Sequence, residues 1–120
     1  MSSQKTGSNL KLVFHVNEND RWPFTLRSVS NLVHSAEHGK AVVVVNGSAV
    51  RSFSQLELEP MRFAKIKELA DAGVRFVLCE VALNERQIKR ELIPDYVETV
   101  PAGIVEIAKL QSEGYGYVKA

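Results

Sequence analysis

The chain has 120 residues, 15 Lys and Arg against 14 Asp and Glu, and 45% hydrophobic residues. That length suits one compact domain, and the apolar share is ordinary for a globular fold, which argues against a disordered chain. A formal net charge of +1 leaves no strong field for nucleic acid or an anionic membrane, so neither is expected as a partner. The single cysteine excludes an internal disulfide and any multi-cysteine zinc site.

Residues 1–9 are small and polar, with no apolar stretch behind a basic start, and read as a loose arm rather than a secretory signal. The domain is then expected over 10–120. Its longest apolar run, Ala41–Val45, falls far short of the ~20 residues that span a bilayer, and a cytoplasmic protein is expected. Leu10 to Val16 alternates as a first strand, with Lys11, Val13 and His15 opposite the Leu/Phe row. Pro23 suits the first turn of a helix whose stripe runs Leu26, Val29, Leu32, Val33 and Ala36, with Gly39 as its stop. Ala41–Val45 is nearly all valine, the pattern of a strand buried on both faces. Ser48 to Leu58 mixes loop with a helical turn. Pro60 opens a second helix, striped by Phe63, Ile66, Leu69 and Ala70 and closed by Gly73.

Val74–Cys79 is the third strand. Asn84 reads as the cap of a short helix, with Gln87 completing a capping box and Leu83 and Ile88 forming a hydrophobic staple. Tyr96–Val100 is a short strand. Pro101 and Gly103 open a last helix that ends at Gly114, before a strand over Tyr115–Lys119. Strands alternating with helices predict a three-layer α/β domain, with a mostly parallel sheet of about five strands covered on both faces.

In such sheets chemistry gathers beyond the carboxyl ends of the strands. The candidates are therefore His15 and Asn17, Asn46 and Gly47, Cys79 and Glu80, and the Pro101-Ala-Gly103 turn. Cys79 is the lead: a thiolate there can attack sulfane sulfur and hold it as a persulfide. The plainer role is a small buried hydrophobe. Glu80 sits awkwardly beside a reactive thiol, although adjacent strand residues face opposite ways. If strands one and three are neighbours, His15 approaches Cys79; otherwise it bonds locally. Asn46-Gly47 forms a turn that holds an anion or simply reverses the chain. His34 and His38 stand four apart with no third ligand evident, so no metal site is expected. Trp22, Phe53 and Tyr117 are available for subunit contacts if exposed. No Walker phosphate loop and no dinucleotide fingerprint is present. A phosphatase-type loop fails too, because Arg86 comes one residue late after Cys79.

Five segments carry a likeness to a known family. They are Lys11-Leu-Val-Phe-His15, Val42-Val-Val-Val-Asn-Gly47, Leu69-Ala-Asp-Ala-Gly-Val-Arg-Phe-Val-Leu-Cys79, Val100-Pro-Ala-Gly-Ile104 and Leu110-Gln-Ser-Glu-Gly-Tyr-Gly-Tyr117. Together they make the chain resemble the DsrE/DsrF-like (YchN-like) family of small intracellular sulfur-metabolism proteins. The resemblance implies a Rossmann-like domain assembled as a homotrimer or hexamer. It implies that the cysteine after the third strand, here Cys79, accepts sulfur from a donor protein and passes it to an acceptor, and it places His15 and Asn46-Gly47 on the rim of the same pocket.

Two functions of different class follow. One is a sulfur carrier working through Cys79 with no metal or organic cofactor. The other is a non-catalytic small-molecule, anion-binding or assembly module in which Cys79 is structural. A Cys-His hydrolase or transferase ranks below both for want of an orienting acid.

Overall fold

The computed structural model describes residues 10–120, and the arm expected over 1–9 lies outside the described residues. The strands are β1 (Lys11–Val16), β2 (Lys40–Val45), β3 (Arg75–Cys79), β4 (Glu98–Val100) and β5 (Gly116–Lys119). The helices are α1 (Trp22–Val33), α2 (Pro60–Asp71), α3 (Glu80–Glu85) and α4 (Gly103–Ser112). The ambiguous stretch after β2 winds into tight helical turns over Gly47–Ser54 and Leu56–Leu58.

All five strands are parallel, in the order β4-β3-β2-β1-β5. From β1 to β4 the chain steps in one direction, and then β5 returns to the far side of β1. Right-handed crossovers put helices of opposite steps on opposite faces. The packing agrees. Phe14, Val16, Val43, Val45, Phe76 and Leu78 join Leu26, Val29, Phe63, Ile66, Leu69 and Leu83 in one core, so α1, α2 and α3 share a face. Val13, Val42, Val44 and Val77 pack with Ile107 and Leu110 of α4 on the other. The unbroken valines of β2 thus serve two cores in alternation.

Trp22 and Phe53 are fully buried, so neither is available for the subunit contacts that exposure would have allowed. The indole N–H donates to the Ala49 carbonyl at 3.0 Å, and Phe53 meets Phe63 edge-on at 5.0 Å between centroids. Each ring contributes about 2 kcal/mol by leaving water, and together they pin the turns after β2 onto the start of α1.

The helix expected to begin at Asn84 instead spans Glu80–Glu85, with Asn84 in its last turn. Gln87 takes a positive φ of 56°, its N–H donates to the Asn84 carbonyl, and the Ile88 N–H reaches the Leu83 carbonyl. That is a Schellman stop, with Leu83 and Ile88 in one core cluster as its apolar contact. A staple at a helix start and a Schellman contact at a helix end both pair residues five apart, so the sequence pattern reads equally well in either sense. Gly73 and Gly114 close α2 and α4 by the same pair of bonds. The first helix stops earlier than expected, at Val33 with His34 as its cap, and His38 sits in the following loop at φ 50°. The two histidines therefore do not share a helix face.

Candidate functional site

The site follows from the strand order. Chain leaving β3 enters α3 on one face, while chain leaving β4 enters α4 on the other. Adjacent parallel strands whose connections diverge leave a crevice at their carboxyl ends, the switch point where such sheets bind ligands. Cys79 ends β3 there, level with Val100 of β4.

Cys79 stands in extended backbone at the position before α3 and makes no side-chain cap bond. It is buried, with 6% of its surface exposed. Its Cβ lies against the first residue of α4: a Cβ built on Gly103 would stand 3.3 Å from it and 3.2 Å from Val44 Cγ1. Gly103 is needed here for close approach, not for an unusual φ. Ala102, at the cap position of α4, offers no side-chain oxygen to the first helical N–H groups. A helix start of this kind favours negative charge beside it.

His15 does not pair with Cys79, because β2 lies between β1 and β3. Its ring spans two other residues. Asn46 Oδ1 can only accept, so Nε2 donates to it at 2.9 Å. In the neutral ring Nδ1 then accepts from the Tyr117 hydroxyl at 2.6 Å. Tyr117 lies level with Val13 across the β1–β5 ladder and reaches diagonally to His15. Tyr117, expected only as a subunit-contact residue, is thus part of this network. The signal that places it here is the pairing register of the first and last strands, a tertiary fact. Asn46 belongs to the Cys79 cluster as well, since its Cβ would be 3.7 Å from a Cβ at Gly103.

The other expected binding residues divide. Gly47 is required by geometry: its φ is +55° and a Cβ would come within 2.5 Å of the Asn17 carbonyl oxygen. That oxygen accepts the Ser48 N–H at 3.0 Å, while Asn17 Oδ1 is buried without a hydrogen-bond partner. Glu80 points into a structural network, accepting from Thr99 Oγ1 at 2.9 Å and pairing with Arg90 at 3.0 Å. Its charge is thus met away from the thiol, by the chain that leads into β4.

Two hollows lie elsewhere. A groove of about 600 Å³ runs along α2 past Phe63, Lys67 and Tyr96, and a cavity of about 490 Å³ opens at the amino ends of β2 and β3. In the groove Lys67 is tied to Asp71 at 2.9 Å, which raises the lysine pKa, and burial pushes the Tyr96 hydroxyl up. Neither hollow is lined by Cys79. Among the described residues no three His, Cys, Asp or Glu side chains cluster as metal ligands, and no helix is long and apolar enough to cross a membrane.

The fold and site define a Rossmann-like α/β domain with one thiol at its switch point. The chain belongs to the DsrE/DsrF-like family, whose model matches residues 12–120, a family associated with sulfur metabolism. The structure is similar to that of MTH1491 from Methanobacterium thermoautotrophicum, a protein of unknown function, with a TM-score of 0.82 and 24% identity over 93% of this chain and 100% of that one. It is also similar to the ychN protein from E. coli, with a TM-score of 0.72 and 17% identity over 92% and 100% of the two chains. These likenesses show the fold. An uncharacterized protein from Aquifex aeolicus is 31% identical over 64 residues, which are 53% of this chain and 27% of that protein. The matched segment thus spans about a quarter of that longer relative.

Proposed function

We propose that the protein is a sulfur carrier that holds sulfane sulfur as a persulfide on Cys79. The observation that carries this reading is the placement of the lone thiol at the switch point, its Cβ against Gly103 at the uncapped start of α4. The Cys79 thiolate attacks the outer sulfur of a donor persulfide. The donor S–S bond breaks, a Cys79 S–S bond forms, and the donor leaves as a thiolate. An acceptor thiolate then attacks the outer sulfur and Cys79 returns to its thiolate, with no net oxidation. Backbone N–H groups at the start of α4 favour the terminal sulfur anion. A free thiol used in this way suits a reducing compartment such as the cytoplasm.

The test is mass spectrometry after incubation with inorganic polysulfide. The wild type gains one sulfur atom and Cys79→Ala gains none; a wild type that gains nothing overturns the reading. The 6% exposure of Cys79 favours a second reading, a non-catalytic small-molecule or anion-binding module in which the thiol is packing. Under that reading Cys79→Ser keeps ligand binding and assembly intact. Self-association as a trimer or hexamer belongs to the proposal too. Its support is the exposed apolar pair Ile104 and Val105 on the first turn of α4, with exposed Val81 on α3. Ile104→Lys should lower the mass measured by analytical ultracentrifugation if that surface joins copies, and an unchanged mass removes it from the interface.

A further inference from the structure

We infer that His15 is a positioning residue: held by Tyr117, it grips the carboxamide oxygen of Asn46 and so reserves the Asn46 NH2 as a hydrogen-bond donor to the Cys79 sulfur once it is ionised. The inference deepens the carrier reading and takes its chemistry from it. The His15 ring is fixed at both ends, by Asn46 Oδ1 at 2.9 Å and the Tyr117 hydroxyl at 2.6 Å, and is only 9% exposed. Nε2 carries the proton it donates to Asn46, the Nδ1 lone pair is engaged by the Tyr117 hydroxyl, and β2 lies between His15 and Cys79, so the ring does not reach Cys79 as a base.

The consequence falls on Asn46. Its strand, β2, lies between β1, which carries His15, and β3, which ends in Cys79. With its oxygen taken by His15, the carboxamide has its NH2 left for another partner, and Asn46 follows Val45, which pairs with Leu78, so it stands beside Cys79 at the ends of β2 and β3. Asn46 and Cys79 also flank one point, the place where Gly103 lacks a Cβ. A sulfur anion taken largely out of water needs donors aimed at it in advance, and a carboxamide locked by its oxygen is such a donor. Tyr117 acts one step further out: its O–H keeps Nδ1 an acceptor and thereby keeps the proton on Nε2.

Two measurements test this. Nitrogen-15 NMR of the wild type should show His15 as the Nε2–H tautomer, assigned by loss of its signals in His15→Ala, and the Asn46 side-chain NH2 resonances should move in Cys79→Ala. An Nδ1–H tautomer, or Asn46 resonances indifferent to Cys79, overturns the inference. Alkylation of the native thiol by iodoacetamide at fixed pH should slow about tenfold in Asn46→Asp and His15→Ala, the loss expected for one charge-assisted hydrogen bond. His15→Gln, which restores a donor but no base, should recover most of that rate; a rate as low as in His15→Ala overturns positioning. The carrier reading fails separately: if the NMR results hold and polysulfide adds no sulfur, the hydrogen-bond geometry stands and the relay falls. If sulfur is loaded but the NMR results fail, the reverse holds.

Discussion

At the carboxyl ends of the strands, His15 and Asn46 are bonded to one another, and Cys79 lies with Asn46 against the start of α4. At the amino ends, Lys11, Lys40 and Arg75 stand where α1, α2 and α4 finish. The two ends differ in helix polarity. Helix termini that end in carbonyls attract cations, and those that begin in free N–H groups attract anions. Lys11 shows the first case directly, since its ammonium donates to the Glu113 carbonyl at the end of α4 at 2.7 Å. In the amino-end cavity, lined by His38, Lys40 and Arg75, the Arg75 guanidinium is answered by the carboxylates of Glu98 and Glu106.

The strongest way to break this contrast is to disturb the backbone that presents Asn46. Gly47→Ala forces a side chain into a left-handed φ and toward the Asn17 carbonyl, and should cost about 2–3 kcal/mol in urea unfolding. It should slow Cys79 alkylation as well, and a loss under 1 kcal/mol, on the order of a plain surface substitution, would mean that the turn relaxes freely. Gly103→Ala comes next. Its Cβ would press on Val44 and Cys79 at 3.2 and 3.3 Å, so about 1–2 kcal/mol of overpacking is expected, together with slower polysulfide loading. Loading that is unchanged in this variant would separate the start of α4 from the chemistry.

Two smaller effects sharpen the other side of the comparison. Lys40→Glu at the amino end should leave sulfur loading by polysulfide within twofold of wild type, and a larger drop would give that end a part in the chemistry. Arg75 and Glu98 form a two-pronged pair at 2.9 and 2.8 Å that ties edge strand β4 to β3, with Glu106 near the same guanidinium at 3.6 Å. Hydrogen bonding from Arg75 holds the Glu98 carboxyl below its ordinary value, and the same contact raises Arg75. The pair's contribution is thus present above the unfolded carboxylate pKa and fades as pH falls through the lowered folded value. Both side chains are about half exposed, so Glu98→Gln should cost only about 0.5 kcal/mol at neutral pH. Thermal melts of the two proteins should converge in acid; a gap that persists there would assign the effect to something other than charge.

The parallel α/β fold was legible because each strand announces itself. Residues 10–16 alternate, 42–45 are continuous valine, and glycines at 73 and 114 mark helix ends. The misplaced helix at Asn84 has a local cause: a pair of apolar residues five apart fits either terminus, and only the bonds from Gln87 and Ile88 decide. The burial of Trp22 and Phe53 was not legible for another reason. Burial of a ring depends on what folds over it, and the turns over Gly47–Ser54 that meet Trp22 reach it only in the tertiary structure.

Sequence alone determined the chemistry available at the carboxyl edge: one thiol, one imidazole and an Asn-Gly turn, each at the end of a strand, because hydrophobic alternation fixes where strands stop. Which of these meet was decided only by strand order. Placing β2 between β1 and β3 parts His15 from Cys79, and returning β5 to the far side of β1 brings Tyr117 to the imidazole. Neighbours in a sheet are chosen by crossover handedness and the burial of two faces, long-range terms that no local run of residues contains.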